Sequence, residues 1–128
     1  MRKVRKDDRE YRGYLSHIGL DAMCHIGEGV HKKLKIKSVV KDTYAGVKHL
    51  LPIHYVTDMG AFWVGTCHII DQHQLNLAND FGINHGDEIR YNSNGGVKTA
   101  IVLHLYSGSG GKCVQIEASS FVNIEDII

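Results

Sequence analysis

The stretch from Phe62 to Gly96 constrains this chain most, because it sets out one element boundary after another. Phe62 to Asp71, FWVGTCHIID, is mostly apolar or β-branched with a single glycine and follows Gly60, a pattern that predicts a buried strand. A helix over about 71–81 comes next. Asp71 with Gln74 three residues on forms a capping box, Leu75, Ala78 and Phe81 fall on one helical face, and Gly82 offers a left-handed stop. Gly86-Asp87 between Ile83 and Ile89 predicts a tight turn into a new strand, and Asn94-Gly95-Gly96 predicts the hairpin after it. Together these describe a mainly β chain, a small barrel with one short helix capping or plugging an end.

Composition narrows the class. A chain of 128 residues is read as one domain, able to bury roughly two thirds of its unfolded surface without a metal or disulfide. Cys24, Cys67 and Cys113 are an odd set at wide spacing with no CxxC, which points to a reducing compartment. No apolar run approaches the roughly 18 residues of a membrane span, and MRKVRKDDREYR has no hydrophobic region behind its charges. The expectation is a cytoplasmic protein with no membrane partner. Charge is uneven: residues 1–48 hold 12 Lys or Arg against 6 acids, and residues 49–128 hold 3 against 8. A basic half can face nucleic acid or lie on an acidic surface of its own or a neighbouring subunit. The second is preferred, since the charges at 2–12 are mixed in sign and carry no aromatic platform beyond Tyr11 and Tyr14. Nucleic acid is therefore not expected as a partner.

In chain order, the first dozen residues read as a disordered arm and Tyr14 to Val30 as two short strands with a turn near Gly27 to Gly29. Lys33 to Lys37 alternates, with Leu34 and Ile36 on one face and lysines on the other. Val47 to Thr57 reads as a strand interrupted by Pro52, VKTAIVLHLY as one apolar strand ending at Tyr106, and CVQIEAS and VNIEDII as the last strands. Nine histidines invite a metal reading, with Cys67, His68, Asp71, His73, His49, His54 and Asp58 as donors. Their spacing offers no HxH or HxxxH pair, so no metal site is expected. SGSGGK lacks the phosphate-loop spacing and any following helix, and reads as a hairpin loop.

From His54 onward the chain resembles the aspartate 1-decarboxylase family, the small pyruvoyl enzymes of pantothenate synthesis. The resemblance rests on Val56-Thr57, on Trp63-Val64-Gly65-Thr66 where the family has its Tyr-x-Gly-Ser cleavage site, and on Ile70-Asp71 through Gly82-Ile83. It continues at Asn94-Gly95, Gly108-Ser109-Gly110, Ala118-Ser119-Ser120 and Asp126-Ile127. It implies a double-psi β-barrel over 46–128, preceded by a basic amino-terminal extension over 1–45 that is partly extended or disordered, and assembly as a homo-oligomer, in the family a tetramer, with sites between subunits.

It also implies a self-cleavage site at Gly65 and Thr66. In that family a hydroxyl attacks the preceding glycine carbonyl, and elimination leaves a pyruvoyl group that forms a Schiff base with the substrate amine. Threonine at this position would leave a 2-oxobutanoyl cap; otherwise no cofactor is expected. The family's substrate-holding arginine is replaced by Val97, with Lys98 adjacent, and lysine lacks the bidentate fork. Ala100 and Ile101 stand for its threonine and tyrosine, and Gln115 for its asparagine. Lys48, His49 and His54 lie near its amino-terminal lysine and histidine. The implied ligand-binding positions are thus Lys48, His54, Thr57, Lys98 and Gln115.

Three functions follow in order of expectation: an uncleaved barrel binding a small anionic ligand at a subunit interface, an active 2-oxobutanoyl amino-acid decarboxylase, and an OB-like nucleic-acid or nucleotide binder. The last rests on KSVVKD, LLPI, GTCHIID and INHGDEIRYNSNGGVKTAIV, which are similar to the OB domain of NAD-dependent DNA ligases.

Overall fold

A computed structural model describes residues 2–42, 52–117 and 120–128. The chain is mainly β and forms two compact units, Met1–Ile69 and Ile70–Ile128. The boundary between the two units falls after Ile69.

In the first unit, β1 (Arg2–Lys3), β4 (Ser38–Lys41), β5 (Ile53–Thr57) and β6 (Gly60–Trp63) make an antiparallel sheet in the order β1-β4-β5-β6. A second sheet has the order β3-β2-β7, from β2 (Asp21–Gly27), β3 (Val30–Lys35) and β7 (Cys67–Ile70). The β2–β3 hairpin turns at Glu28 and Gly29, both at positive φ, the geometry that matches strand twist and that a glycine favours. The first dozen residues are not a loose arm. Val4 and Tyr11 are buried in the core with Ala22, Cys24, Leu34, Ile36, Val39, Ile53 and Tyr55, and Val4 N–H donates to the Val39 carbonyl. A 3-10 turn, Arg12–His17, replaces the first of the strands expected between Tyr14 and Val30. Pro52 sits just before β5, where its missing N–H removes no ladder bond, and its carbonyl accepts from Asp42 N–H at 2.7 Å.

The expected strand from Phe62 to Asp71 is broken in the middle. Val64–Thr66 form a 3-10 turn between β6 and β7, in which the Trp63 carbonyl accepts from the Thr66 hydroxyl and the Cys67 thiol.

The second unit opens on α1 (Gln72–Phe81), capped as the sequence predicts: the Asp71 carboxylate accepts from Gln74 N–H at 3.0 Å, and Gly82 is left-handed at φ 69°. Its buried face differs from the expected one. Gln74 and Ala78 point inward, whereas Leu75 is half exposed. β8 (Glu88–Ser93) and β9 (Gly96–Ile101) form the predicted hairpin around Asn94-Gly95. β10 (His104–Gly108), β11 (Gly111–Glu117) and β12 (Ser120–Asn123) make a three-stranded antiparallel sheet.

The apolar run from Val97 to Tyr106 is two strands. At Val102 and Leu103, both fully buried, hydrogen bonding switches from the Gly86-Asp87 turn to β11: Val102 N–H donates to the Asp87 carbonyl and Leu103 N–H to the Gln115 carbonyl. Val102, Leu105, Val114, Ile116 and Val122 form this unit's core with Ala78 and Ile89. Among the described residues the ladders form four separate sheets and do not close into a barrel. Their short strands end at turns, and the carboxy-terminal isoleucines add an isolated bridge, Tyr91 to Ile127, rather than a further strand.

Charge is balanced locally. Arg2–Asp8, Lys35–Asp21 and Lys37–Asp58 pair within the first unit and Lys112–Asp80 within the second. Such exposed pairs contribute about 0–1 kcal/mol each. Among the described residues no helix is long and apolar enough to cross a membrane.

Candidate functional site

The Gly65–Thr66 bond lies in the 3-10 turn that joins β6 to β7. The Thr66 hydroxyl donates to the Trp63 carbonyl at 2.8 Å, and the Cys67 thiol donates to the same oxygen at 3.5 Å. This is the back-bond by which a short polar side chain satisfies a carbonyl three residues upstream. The indole of Trp63 folds over Gly65 so closely that a Cβ there would stand 2.3 Å from the ring. A side chain at position 65 would have to push that ring aside, and neither Gly65 nor Thr66 occupies the left-handed region. Self-cleavage calls for a hydroxyl aimed at the Gly65 carbonyl, a strained backbone and donors for the oxyanion. Here the hydroxyl is held on another carbonyl.

Of the implied ligand positions, His54 and Thr57 lie on β5, in the hairpin that precedes that turn. His54 pairs across to Trp63, and its Nδ1 is buried without a partner among the described residues. Thr57 is a turn residue: its hydroxyl donates to the Gly60 carbonyl at 3.0 Å and accepts from Met59 N–H at 3.1 Å. Lys98 and Gln115 belong to the second unit. Lys98 is exposed on β9 opposite Tyr91. Gln115 is buried, its Oε1 accepting from the Tyr106 hydroxyl at 3.0 Å and its Nε2 donating to the Glu117 carbonyl at 3.1 Å. Lys48 and His49 lie outside the described residues, as do Ala118 and Ser119. Lys112 of the SGSGGK hairpin pairs with Asp80 at 2.9 Å and lies over the Phe81 ring.

Two polar clusters escaped the sequence reading. In the second unit the Gln74 amide bonds the backbone of Leu105 at both ends, Nε2 to the carbonyl and Oε1 from the N–H, each at 2.9 Å. The backbone thereby fixes the amide orientation. His85 Nε2, 2.7 Å from Oε1, must then be the donor, which sets its tautomer. The expected capping box is consequently only half made: Gln74 supplies its N–H to Asp71, but its side chain reaches into the unit. The His104 ring lies tilted against that of Tyr106, 5.0 Å between centroids, and Tyr106 meets Phe121 edge-on at 5.5 Å. In the first unit, His17 Nδ1 hydrogen-bonds the buried Tyr55 hydroxyl, with Tyr14 edge-on to both rings. Burial, then Cys67 and Tyr14, raise the Tyr55 pKa, so its phenol stays neutral.

Burial also lowers the pKa values of His31 and His104. For His31 the neighbouring His25 lowers it further, against a smaller opposing effect of the Gly29 backbone. For His104 the Asp71 carboxylate opposes the shift and His73 adds to it. The unfolded chain binds these protons more readily than the folded one. Stability is therefore expected to fall as pH drops through the ordinary histidine value of about 6.5 and to level off below the lowered folded values. Urea unfolding at about pH 7.5 and about pH 5.5 checks this: the midpoint should be lower in acid, and His104→Gln should reduce the difference.

The fold class is thus a mainly β protein of two compact units with one capped helix. No protein-family model, curated protein or solved structure matches it.

Proposed function

We propose that this chain is a non-processing binding protein, diverged from the double-psi plan of the pyruvoyl decarboxylases, that takes up a small anionic ligand as a homo-oligomer. The observation that carries the reading is the Thr66 hydroxyl bound to the Trp63 carbonyl, which removes the nucleophile from the adjacent peptide. The order of the motifs from Val56-Thr57 to Asp126-Ile127 supports the kinship in plan. The anionic ligand is suggested by Lys98, exposed beside the Asn94-Gly95 turn and next to Val97, which stands where the family has its carboxylate-binding arginine.

Incubation with aspartate is expected to release no carbon dioxide. Calorimetric titration with aspartate and with inorganic phosphate should show saturable heat for at least one. Lys98→Ala should then weaken binding by about tenfold, the loss of one charge-assisted hydrogen bond. Carbon dioxide release would establish the decarboxylase instead, and absence of heat with both probes would remove the anion-binding reading.

A further inference from the structure

His25 on β2 and His31 on β3 are direct partners across the hairpin, with a β-bulge immediately beyond them between His25 and Gly27. Partners of this kind carry their side chains on the same face of the sheet, and the two ring centroids are 5.0 Å apart. His68 on β7, at the other edge of the β3-β2-β7 sheet, brings a third ring to 6.3 Å from that of His31. His25 is exposed, and His31 and His68 are half-buried. Spacing along the chain does not reveal the group, because its members sit on three different strands.

We infer that His25 and His31 bind a divalent late transition-metal ion, of the Ni²⁺, Cu²⁺ or Zn²⁺ type, between their rings, with His68 turning in as a third donor. An imidazole nitrogen about 2.1 Å from such an ion puts its ring centre about 3.2 Å away, so two rings at right to tetrahedral angles have centres about 4.5–5.2 Å apart. The His25–His31 separation of 5.0 Å falls in that range. At 6.3 Å, His31 and His68 would stand almost opposite each other on one ion, so His68 has to rotate to join at a tetrahedral angle. Among the described residues no three donors already converge on one point. The ion therefore meets a preformed pair and draws the third ring in.

The donors suit such an ion. Gly29 N–H donates to His25 Nε2 at 3.3 Å, a long bond at the exposed tip of the hairpin, where water can replace the nitrogen as acceptor. Nε2, or Nδ1 after a change of tautomer, then offers its lone pair to the ion. Burial, then the neighbouring His25, lower the pKa of His31 against a smaller effect of the Gly29 backbone, which keeps its imidazole in the neutral, ligating form. Lys32 and Lys33 follow His31, both exposed. Neutral nitrogens on a basic strand do not hold a cation by charge. Mg²⁺ and Ca²⁺, which take oxygen ligands, are excluded, whereas the coordinate bond to imidazole favours Ni²⁺, Cu²⁺ and Zn²⁺.

The test is calorimetric titration of the reduced full chain with nickel chloride in a non-chelating buffer. The expected result is one ion per chain with a Kd below about 100 μM, weakened at least about tenfold in His25→Ala and in His31→Ala and about threefold or more in His68→Ala. His25→Gln and His31→Gln, which keep a polar side chain of similar size, should lose binding in the same way. Because the ion binds the folded hairpin, Ni²⁺ should also raise the urea midpoint of the parent chain and leave that of His31→Gln unmoved. The inference is overturned if no saturable heat appears below about 100 μM, if the glutamine variants bind as tightly as the parent, or if magnesium chloride in excess displaces Ni²⁺. Unchanged affinity in His68→Ala would overturn its part in the site.

Discussion

Gln74→Ala is expected to destabilise the second unit by about 3–5 kcal/mol, enough to leave it largely unfolded, since small domains have only about 5–15 kcal/mol of stability. Gln74 is 3 % exposed, and its one amide satisfies the Leu105 N–H, the Leu105 carbonyl and the His85 Nε2–H. Alanine leaves these groups in a space too enclosed for water to replace the amide freely, and each buried group left unsatisfied costs about 1–3 kcal/mol. Gln74→Glu separates geometry from size. A carboxylate keeps the volume but cannot donate to the Leu105 carbonyl, and it places a charge in the interior, so it should be no better than alanine. Chemical denaturation followed by backbone circular dichroism measures both. A loss below about 1 kcal/mol for alanine would show that the network is dispensable.

The second large effect belongs to Tyr55, which is 2 % exposed at the centre of the first unit. Tyr55→Ala removes a ring packed against Tyr14 and His17 and deletes the hydroxyl that bonds His17. Truncation of a buried aromatic costs about 3–5 kcal/mol. Tyr55→Phe keeps the ring and loses the hydroxyl alone, so about 1 kcal/mol is expected, with His17 turning its nitrogen toward solvent. The ratio of the two losses reports how far packing, rather than the hydrogen bond, holds this core. Equal losses would assign the larger part to the His17 bond.

How much of this was legible in the sequence depends on the kind of signal each element uses. The helix start, its left-handed stop and the Asn94-Gly95 hairpin were readable because Asp71, Gly82 and Gly95-Gly96 act through their own backbone, within a turn. Alternation also placed Leu34 and Ile36 inward. Apolar runs were read as single strands in two places where they are not. Hydrophobicity reports burial but not hydrogen-bond partner, so it could not show the turn at Val64–Thr66 or the change of partner at Val102 and Leu103.

The site was less legible than the fold for the same reason. Gly65 and Thr66 were singled out as a self-cleavage pair through the family resemblance. What they do depends on Trp63, whose ring covers the glycine and whose carbonyl holds the hydroxyl. Gln74 was visible only as a capping residue, because its side-chain partners lie 11 and 31 positions away. Val4 and Tyr11 were hidden by the charges around them, though each is an apolar body that a nearby sheet can cover.

The central claim is that the Gly65–Thr66 peptide is a structural turn and stays intact. Intact-mass spectrometry of the purified protein, after prolonged warming to give any processing time to finish, tests it most directly. One species at 14.3 kDa is expected, unchanged by incubation, with Thr66→Ala equally intact and less stable by about 1 kcal/mol through the lost bond to Trp63. Two fragments, one ending at Gly65 and the other beginning with a 2-oxobutanoyl group, and both lost in Thr66→Ala, would contradict it.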